Sequence, residues 1–132
     1  MKINISIVGR LIGVLLIVSS MAKLLEPQPF FGFIDQLGVE NKQFILSSIS
    51  FIELVLGLFG VLGYYKKLIF GFFSILFLTF ASIHFYAMNL GITSCGCFGE
   101  MLLNEVGIQS IIFNIMLSSL SVLLFYKEVK KN

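Results

Sequence analysis

The sequence is poor in charged residues. Only 12% of its 132 residues are Asp, Glu, Lys or Arg, whereas 58% are hydrophobic and 15 are Phe. A soluble domain carries about 25% charged residues, which it needs to cover its surface. This chain cannot cover itself with polar groups, so its composition predicts a protein whose solvent is the lipid bilayer. The net charge is only +2 and the basic residues form no stripe, which argues against a nucleic-acid partner.

Cysteine and histidine are equally scarce. The chain has two Cys and one His, whereas a structural zinc site uses four protein ligands. This scarcity disfavours a zinc site built from Cys and His. A soft Cu(I) site made by two thiolates and a methionine, Met88 or Met101, stays open.

Four apolar stretches account for most of the chain. They cover about residues 3–22, 44–65, 68–90 and 107–126, and each is close to the roughly 20 residues that cross the hydrocarbon core as a helix. In lipid the backbone must satisfy its own hydrogen bonds, which favours helices. Short connections make sequential helices antiparallel. The sequence therefore predicts one all-α membrane domain over 1–132, a four-transmembrane-helix antiparallel bundle.

Lysine is distributed unevenly between the two ends of this bundle. Short cytoplasmic loops carry an excess of Lys and Arg, so we expect both termini in the cytoplasm of a bacterium, with the bundle in its inner membrane. The segments 23–43 and 91–106 then face outward. Six lysines lie at the predicted inner end and two at the outer end: Lys2, Lys66, Lys67, Lys127, Lys130 and Lys131 against Lys23 and Lys42.

The connection between the first two stretches is more than a turn. Pro27 and Pro29 interrupt the first helix, and an apolar cluster, Phe30 to Leu37, follows. We expect a short interfacial or re-entrant segment here. It would serve as a lid or docking ledge, or simply anchor the chain at the interface.

Both cysteines fall in one tripeptide, Cys95-Gly96-Cys97, in the second outward segment. A disulfide needs Cα atoms within about 4.4–6.8 Å, and Gly96 gives the chain freedom to bend. Such a small ring is strained, hence easily reduced, and it contributes little stability because it closes almost no loop. This favours a redox pair, with a metal clip or two inert residues as the alternatives. One pair offers no second shuttle within the chain, which makes a partner protein necessary.

Five polar residues in or beside the apolar stretches are further candidates. His84 lies near the outer end of the third stretch, where it could assist a thiol or move a proton, or simply be hydrogen-bonded in the core. Arg10 and Glu53 differ in predicted depth by about 5 Å, so an ion pair is feasible, as a proton path, a quinone contact or a structural clasp. Asn114 should hydrogen-bond within the bundle. Lys23 should snorkel or lie beside the cysteines.

Five features occur together along the chain: Arg10 with Gly13, Lys23-Leu24, Glu26-Pro27 with Phe30, Glu53 with Gly57, and the run Cys95 to Gly99. Together they resemble the MauE family, which is similar to the DoxX group of small four-helix membrane proteins. The resemblance implies extracytoplasmic thiol–disulfide chemistry with a thioredoxin-like partner, as in maturation of the disulfide-rich small subunit of methylamine dehydrogenase.

The prediction is therefore a membrane thiol–disulfide redox protein. Cys95 and Cys97 would be catalytic with help from His84. A quinone between the helices is one candidate electron carrier, by analogy with unrelated disulfide-generating proteins, with Arg10 and Glu53 as its contacts. The alternatives are a soft-metal binding or insertion protein and a non-catalytic membrane assembly factor.

Overall fold

The computed structural model describes residues 4–94 and 107–131. The predicted Cys95 and Cys97 site lies outside these residues. Within them the chain forms five α-helices and no extended sheet: α1 Ile5–Leu25, α2 Pro27–Gln36, α3 Lys42–Leu62, α4 Lys66–Asn89 and α5 Ile108–Lys130.

Four of these helices are long and apolar enough to cross a membrane. They are α1, α3, α4 and α5, with 21 to 24 residues each. This confirms the predicted all-α, four-span architecture. The helix ends differ from the predicted ones by a few residues. For example, the fourth apolar stretch ends at about residue 126, whereas α5 ends at Lys130, because the last turn of the helix is polar and carries Lys127 and Lys130.

The segment between α1 and α3 is a short helix, as the sequence predicted. Pro27 occupies the first turn of α2, where its missing N–H costs nothing. One face of α2 buries Phe30 and Phe33 in an apolar cluster with Ala87 of α4 and with Ile92. The helix is therefore packed onto the bundle. We name one end of the bundle the α2 end. It is the end at which α1 and α4 finish and α3 begins.

Helices α1 and α3 touch through their backbones. A Cβ added at Gly13 would lie 2.6 Å from the carbonyl oxygen of Gly57, and one added at Gly57 would lie 2.8 Å from that of Gly13. Nearer the α2 end, the Ser20 hydroxyl donates to the carbonyl of Ser50 at 2.8 Å. Small residues at such a contact let helices approach closely in a membrane.

Helix α4 supplies the aromatic core. Phe70, Phe73 and Phe77 recur at helical spacing and are all buried in one cluster with Leu16 of α1 and Leu124 of α5. This cluster ties the α1–α3 pair to α4 and α5.

The antiparallel partner of α4 is α5. The Ser118 hydroxyl donates to the Ser74 carbonyl at 3.0 Å, so the two helices are linked by a hydrogen bond as well as by packing. The beginning of α5 therefore lies at the α2 end, beside the end of α4.

Candidate functional site

A buried ion pair joins α1 to α3. The Lys23 ammonium donates to both carboxylate oxygens of Glu53, each at 2.8 Å, and the side chains are 2% and 0% exposed. The Lys23 ammonium donates a third hydrogen bond to the Ser19 hydroxyl at 2.8 Å. That hydroxyl in turn donates to Glu53 at 3.3 Å. The three groups form a closed network in which every proton of the ammonium has an acceptor.

The geometry of α1 explains how Lys23 reaches the interior. Side chains on a helix tilt toward its N-terminus, so the Lys23 side chain runs back along α1 by one turn to Ser19. This direction places the ammonium, whose Cα lies near the end of α1, at the level of Glu53 in the middle of α3. The ring of Phe80 lies 5.8 Å from the ammonium nitrogen, close enough for a favourable cation–π contact.

The predicted ion pair between Arg10 and Glu53 is wrong, because Glu53 pairs with Lys23. Gly60 faces Gly9 across the α1–α3 contact, which places Arg10 at the level of Gly60. That level is about 10 Å along α3 from Glu53 at 1.5 Å per residue. Arg10 is also exposed. Of the two alternatives predicted for Lys23, snorkelling to the surface is wrong, because the side chain is buried in the pair with Glu53. The other alternative, a position beside the cysteines, concerns residues outside the described part of the chain.

A second polar pair joins α4 to α5. The side-chain nitrogen of Asn114, Nδ2, lies 3.3 Å from Nδ1 of His84 and donates to the carbonyl of Ser110 at 2.9 Å. Both His84 and Asn114 are buried. The ring centroids of His84 and Phe33 of α2 are 6.4 Å apart. The hydrogen bond predicted for Asn114 within the bundle is therefore confirmed, and α2 covers the pair.

One cavity has Lys23 of the ion pair and both members of the His84–Asn114 pair in its wall. Its volume is about 50 Å³. A cavity of about 150 Å³ holds benzene and a water molecule needs about 10–15 Å³, so this one suits a few waters and not a quinone ring. The lining residues are mostly apolar, from all five helices: Leu15, Leu16, Ser19, Lys23, Phe30, Ile49, Phe77, Phe80, Ile83, His84, Phe113 and Asn114.

Comparison with known protein families shows to which family the chain belongs. The sequence model of one family, described as methylamine utilisation protein MauE, matches residues 1–127. The chain belongs to the MauE family. No curated protein and no solved structure matches the sequence. The match extends over α1 to α4, the segment between α4 and α5, and α5 as far as residue 127. The residues that line the cavity and both cysteines therefore fall within the family's sequence.

The predicted site residues of this MauE-family protein divide into three groups. His84 and Glu53 both belong to polar pairs at the cavity, although Glu53 itself does not line it. Arg10 lies away from both. Cys95 and Cys97 lie outside the described residues, and the described chain stops at Ser94 and resumes at 107. Within the described ranges no group of three or more metal-ligating side chains is found.

The buried role of Lys23 was missed from the sequence, yet a signal for it exists in the MauE-family chain. Lys23 continues a repeat of small and apolar residues spaced three or four apart, which is the face that α1 turns toward the bundle interior. Glu53 falls on the matching repeat of α3. A charge that is in phase with each buried stripe indicates an intramembrane pair. The two repeats are Gly9, Gly13, Leu16, Ser20 and Lys23 on α1, and Leu46, Ser50, Glu53, Gly57 and Gly60 on α3.

Proposed function

We propose that this protein is a membrane thiol–disulfide redox protein. In this proposal Cys95 and Cys97 exchange electrons with a thioredoxin-like protein outside the cytoplasm. The observation that carries it is a coincidence of position. The chain's only two cysteines come between α4 and α5 in the sequence, and α4 ends and α5 begins at the α2 end, where His84 and Lys23 line the cavity. The family's description as a methylamine utilisation protein supports a role in maturing a protein of that metabolism.

The exchange balances without any other reactant. A thiolate of the pair attacks the partner's disulfide, forming a mixed disulfide and releasing one partner thiolate. The second thiolate then attacks the sulfur of the first, closing the Cys95–Cys97 disulfide and releasing the second partner thiolate. Two electrons have moved to the partner. The reverse sequence oxidises the partner and leaves the pair as two thiols.

His84 is the hydrogen-bonding group of this proposal. Departing thiolates carry negative charge, and the imidazole of His84 can donate a hydrogen bond that stabilises it. His84 lies on the last turns of α4, six residues before Leu90, where the helix caps. Its burial beside Phe33 keeps bulk water away from it.

The ion pair serves the same cavity in a different way. Lys23 puts a positive charge in the cavity wall, and Glu53 behind it keeps the site neutral overall. Because the ammonium's three protons are all engaged by Glu53 and Ser19, Lys23 is fixed in place and acts through its charge. A fixed positive charge favours thiolate over thiol, which assists a cysteine that approaches the cavity.

Thiol trapping in intact cells tests the proposal. A membrane-impermeant maleimide that adds mass should label the wild-type chain only after mild reduction, and the Cys95→Ser and Cys97→Ser variants should accumulate mixed disulfides with a partner. A chain lacking both cysteines and carrying Lys131→Cys is the topology control, protected in intact cells and labelled after permeabilisation. Thiols that stay free under oxidising conditions, or a fully active double-serine variant, would refute the proposal.

A further inference from the structure

We infer that Asn114 fixes the tautomer of His84, with the ring proton on Nε2, and that Asn114 is thereby a positioning residue for the thiol chemistry. The inference rests on the proposed function only in its second part. The first part follows from three atoms: Asn114 Nδ2, His84 Nδ1 and the carbonyl oxygen of Ser110.

The carbonyl of Ser110 identifies the donor. A carbonyl oxygen can only accept a hydrogen bond, and it lies 2.9 Å from one terminal atom of the Asn114 amide. That atom must therefore be the NH₂ nitrogen. The same nitrogen lies 3.3 Å from His84 Nδ1. Since it carries two protons, it can donate one to Ser110 and the other to the ring.

The donor then determines the state of the ring. An NH₂ group has no lone pair to offer in a hydrogen bond, so Nδ1 of His84 must be the acceptor and carries no proton. The remaining ring proton is on Nε2. His84 and Asn114 are 5% and 8% exposed, so bulk water cannot replace this contact. A proton placed on Nδ1 would set two donors face to face inside the bundle.

The positions of α4 and α5 preserve this arrangement. The hydrogen bond from Asn114 to Ser110 spans one turn of α5, so the amide is held by its own helix. One turn further on, the hydroxyls of Ser118 and Ser74 lie 3.1 Å apart, and Ser118 also bonds to the Ser74 backbone. The two helices are therefore linked beside the His84–Asn114 pair, which fixes the approach of the amide to the ring.

For the thiol chemistry, the tautomer decides which ring nitrogen of His84 can donate a hydrogen bond. A His84 that keeps its proton on Nε2 is a hydrogen-bond donor through that atom. It can donate a hydrogen bond to a departing thiolate and stabilise its charge, while the proton stays on Nε2 and Asn114 keeps Nδ1 in the accepting state. Asn114 touches no reacting atom in this scheme, and it acts through the imidazole.

Nitrogen NMR of the full chain in lipid nanodiscs tests the first part directly, because the protein has a single histidine. With ¹⁵N-labelled histidine, the wild type should give a protonated Nε2 and an unprotonated Nδ1. Asn114→Asp offers a carboxylate acceptor instead, and should move the proton to Nδ1. Ser82→Ala, on the exposed face of α4 close to His84, is the control and should leave the wild-type pattern, because the Ser82 hydroxyl donates to the Leu78 carbonyl of its own helix. A wild-type proton on Nδ1 would overturn the inference, whether or not either variant folds.

The second part is tested by the rate at which the reduced cysteine pair reacts with oxidised thioredoxin, used as the probe. Asn114→Asp should slow the exchange roughly 10-fold or more and change its pH profile, because Nε2 would then carry no proton to donate to the departing thiolate, and the loss of one such donor costs about 100-fold or more in other enzymes. Ser82→Ala should react like the wild type. An unchanged rate in Asn114→Asp refutes the positioning role and leaves the tautomer standing. No reaction in the wild type refutes the proposed function, while the NMR result still decides the tautomer.

Discussion

The ammonium of Lys23 lies 2.8 Å from both oxygens of the Glu53 carboxylate, inside a bundle whose other buried side chains are mostly apolar. The contact joins the last turns of α1 to the middle of α3. Because each charge is the other's counter-ion, the pair is neutral as a unit although neither residue could be buried alone at small cost. The pair therefore gives the clearest test of what holds the two helices in register.

Removing one member of the pair should be strongly destabilising. Glu53→Ala leaves the Lys23 ammonium buried without a counter-charge, and we expect a loss of about 3–5 kcal/mol in the free energy of unfolding. Reversible unfolding in mixed detergent–lipid micelles measures it. The double variant Lys23→Met with Glu53→Leu should recover most of the loss, because an apolar pair of similar size needs no counter-charge.

The exposed pair at the α2 end is the matched control. Lys42 and Asp35 form a surface ion pair, with side chains 40% and 53% exposed. Asp35→Ala should change the free energy of unfolding by less than about 1 kcal/mol. A Glu53→Ala variant that is no less stable than Asp35→Ala would show that the buried pair does not hold α1 to α3.

The glycine contact between α1 and α3 should be intolerant of a methyl group. Gly57→Ala places a Cβ 2.8 Å from the Gly13 carbonyl oxygen, and backbone cannot rotate away as a side chain can. We expect a loss of roughly 1–3 kcal/mol, measured by the same unfolding experiment. Gly71→Ala on α4 is the control, because its nearest neighbours lie at an ordinary 3.8 Å. Equal effects at the two positions would contradict close backbone contact.

Two serines differ in what their hydroxyls bind. Ser20 donates across the interface to the Ser50 carbonyl, whereas Ser48 donates to the Phe44 carbonyl within its own helix. Ser20→Ala should cost about 0.6 kcal/mol, and up to about 1.7, which is the measured range for hydrogen bonds between membrane helices. Ser48→Ala should change stability little. The difference in stability between the two variants measures the interhelical hydrogen bond. Two equally stable variants would mean that the Ser50 carbonyl finds another donor when the Ser20 hydroxyl is removed.

Truncating the aromatic side chain that fixes α2 should release this helix. Phe33 is 3% exposed in the apolar cluster and its ring lies beside His84. We expect Phe33→Ala to cost about 3–5 kcal/mol and to speed hydrogen exchange of the α2 amides. Phe44→Ala is the control, because Phe44 is 74% exposed. Unchanged exchange in α2 would show that Phe33 does not anchor it.

The four spans could be predicted from the sequence because hydropathy and length alone determine them. The short helix α2 could be predicted too, from its two prolines and the phenylalanines behind them. The partner of Glu53 could not. Depth counted from predicted helix ends compares only axial levels, whereas a pair also needs both residues on facing stripes and a side chain of the right reach. Lys23 satisfies both conditions, and Arg10 satisfies neither.

The contact between His84 and Asn114, which joins α4 to α5, could not be predicted from the sequence either. The sequence places His84 near the C-terminal end of the third apolar stretch, and in the structure it lies on the last turns of α4, at the α2 end. Its contact with Asn114 depends on how α4 and α5 align, and nothing in the apolar periodicity of either helix fixes that alignment. The serines at 74 and 118 do so, through hydrogen bonds that become visible only once the helices are paired.

The buried ion pair also has a consequence for how the chain enters the membrane during synthesis. Lys23 is made about 30 residues before its counter-ion, with α2 in between. A lone charge in a membrane helix costs about 2.5–3.5 kcal/mol on insertion scales. The last turn of α1 can therefore settle at its final depth only when α3 emerges and supplies the carboxylate. The first helix to be made is thus completed only by the third.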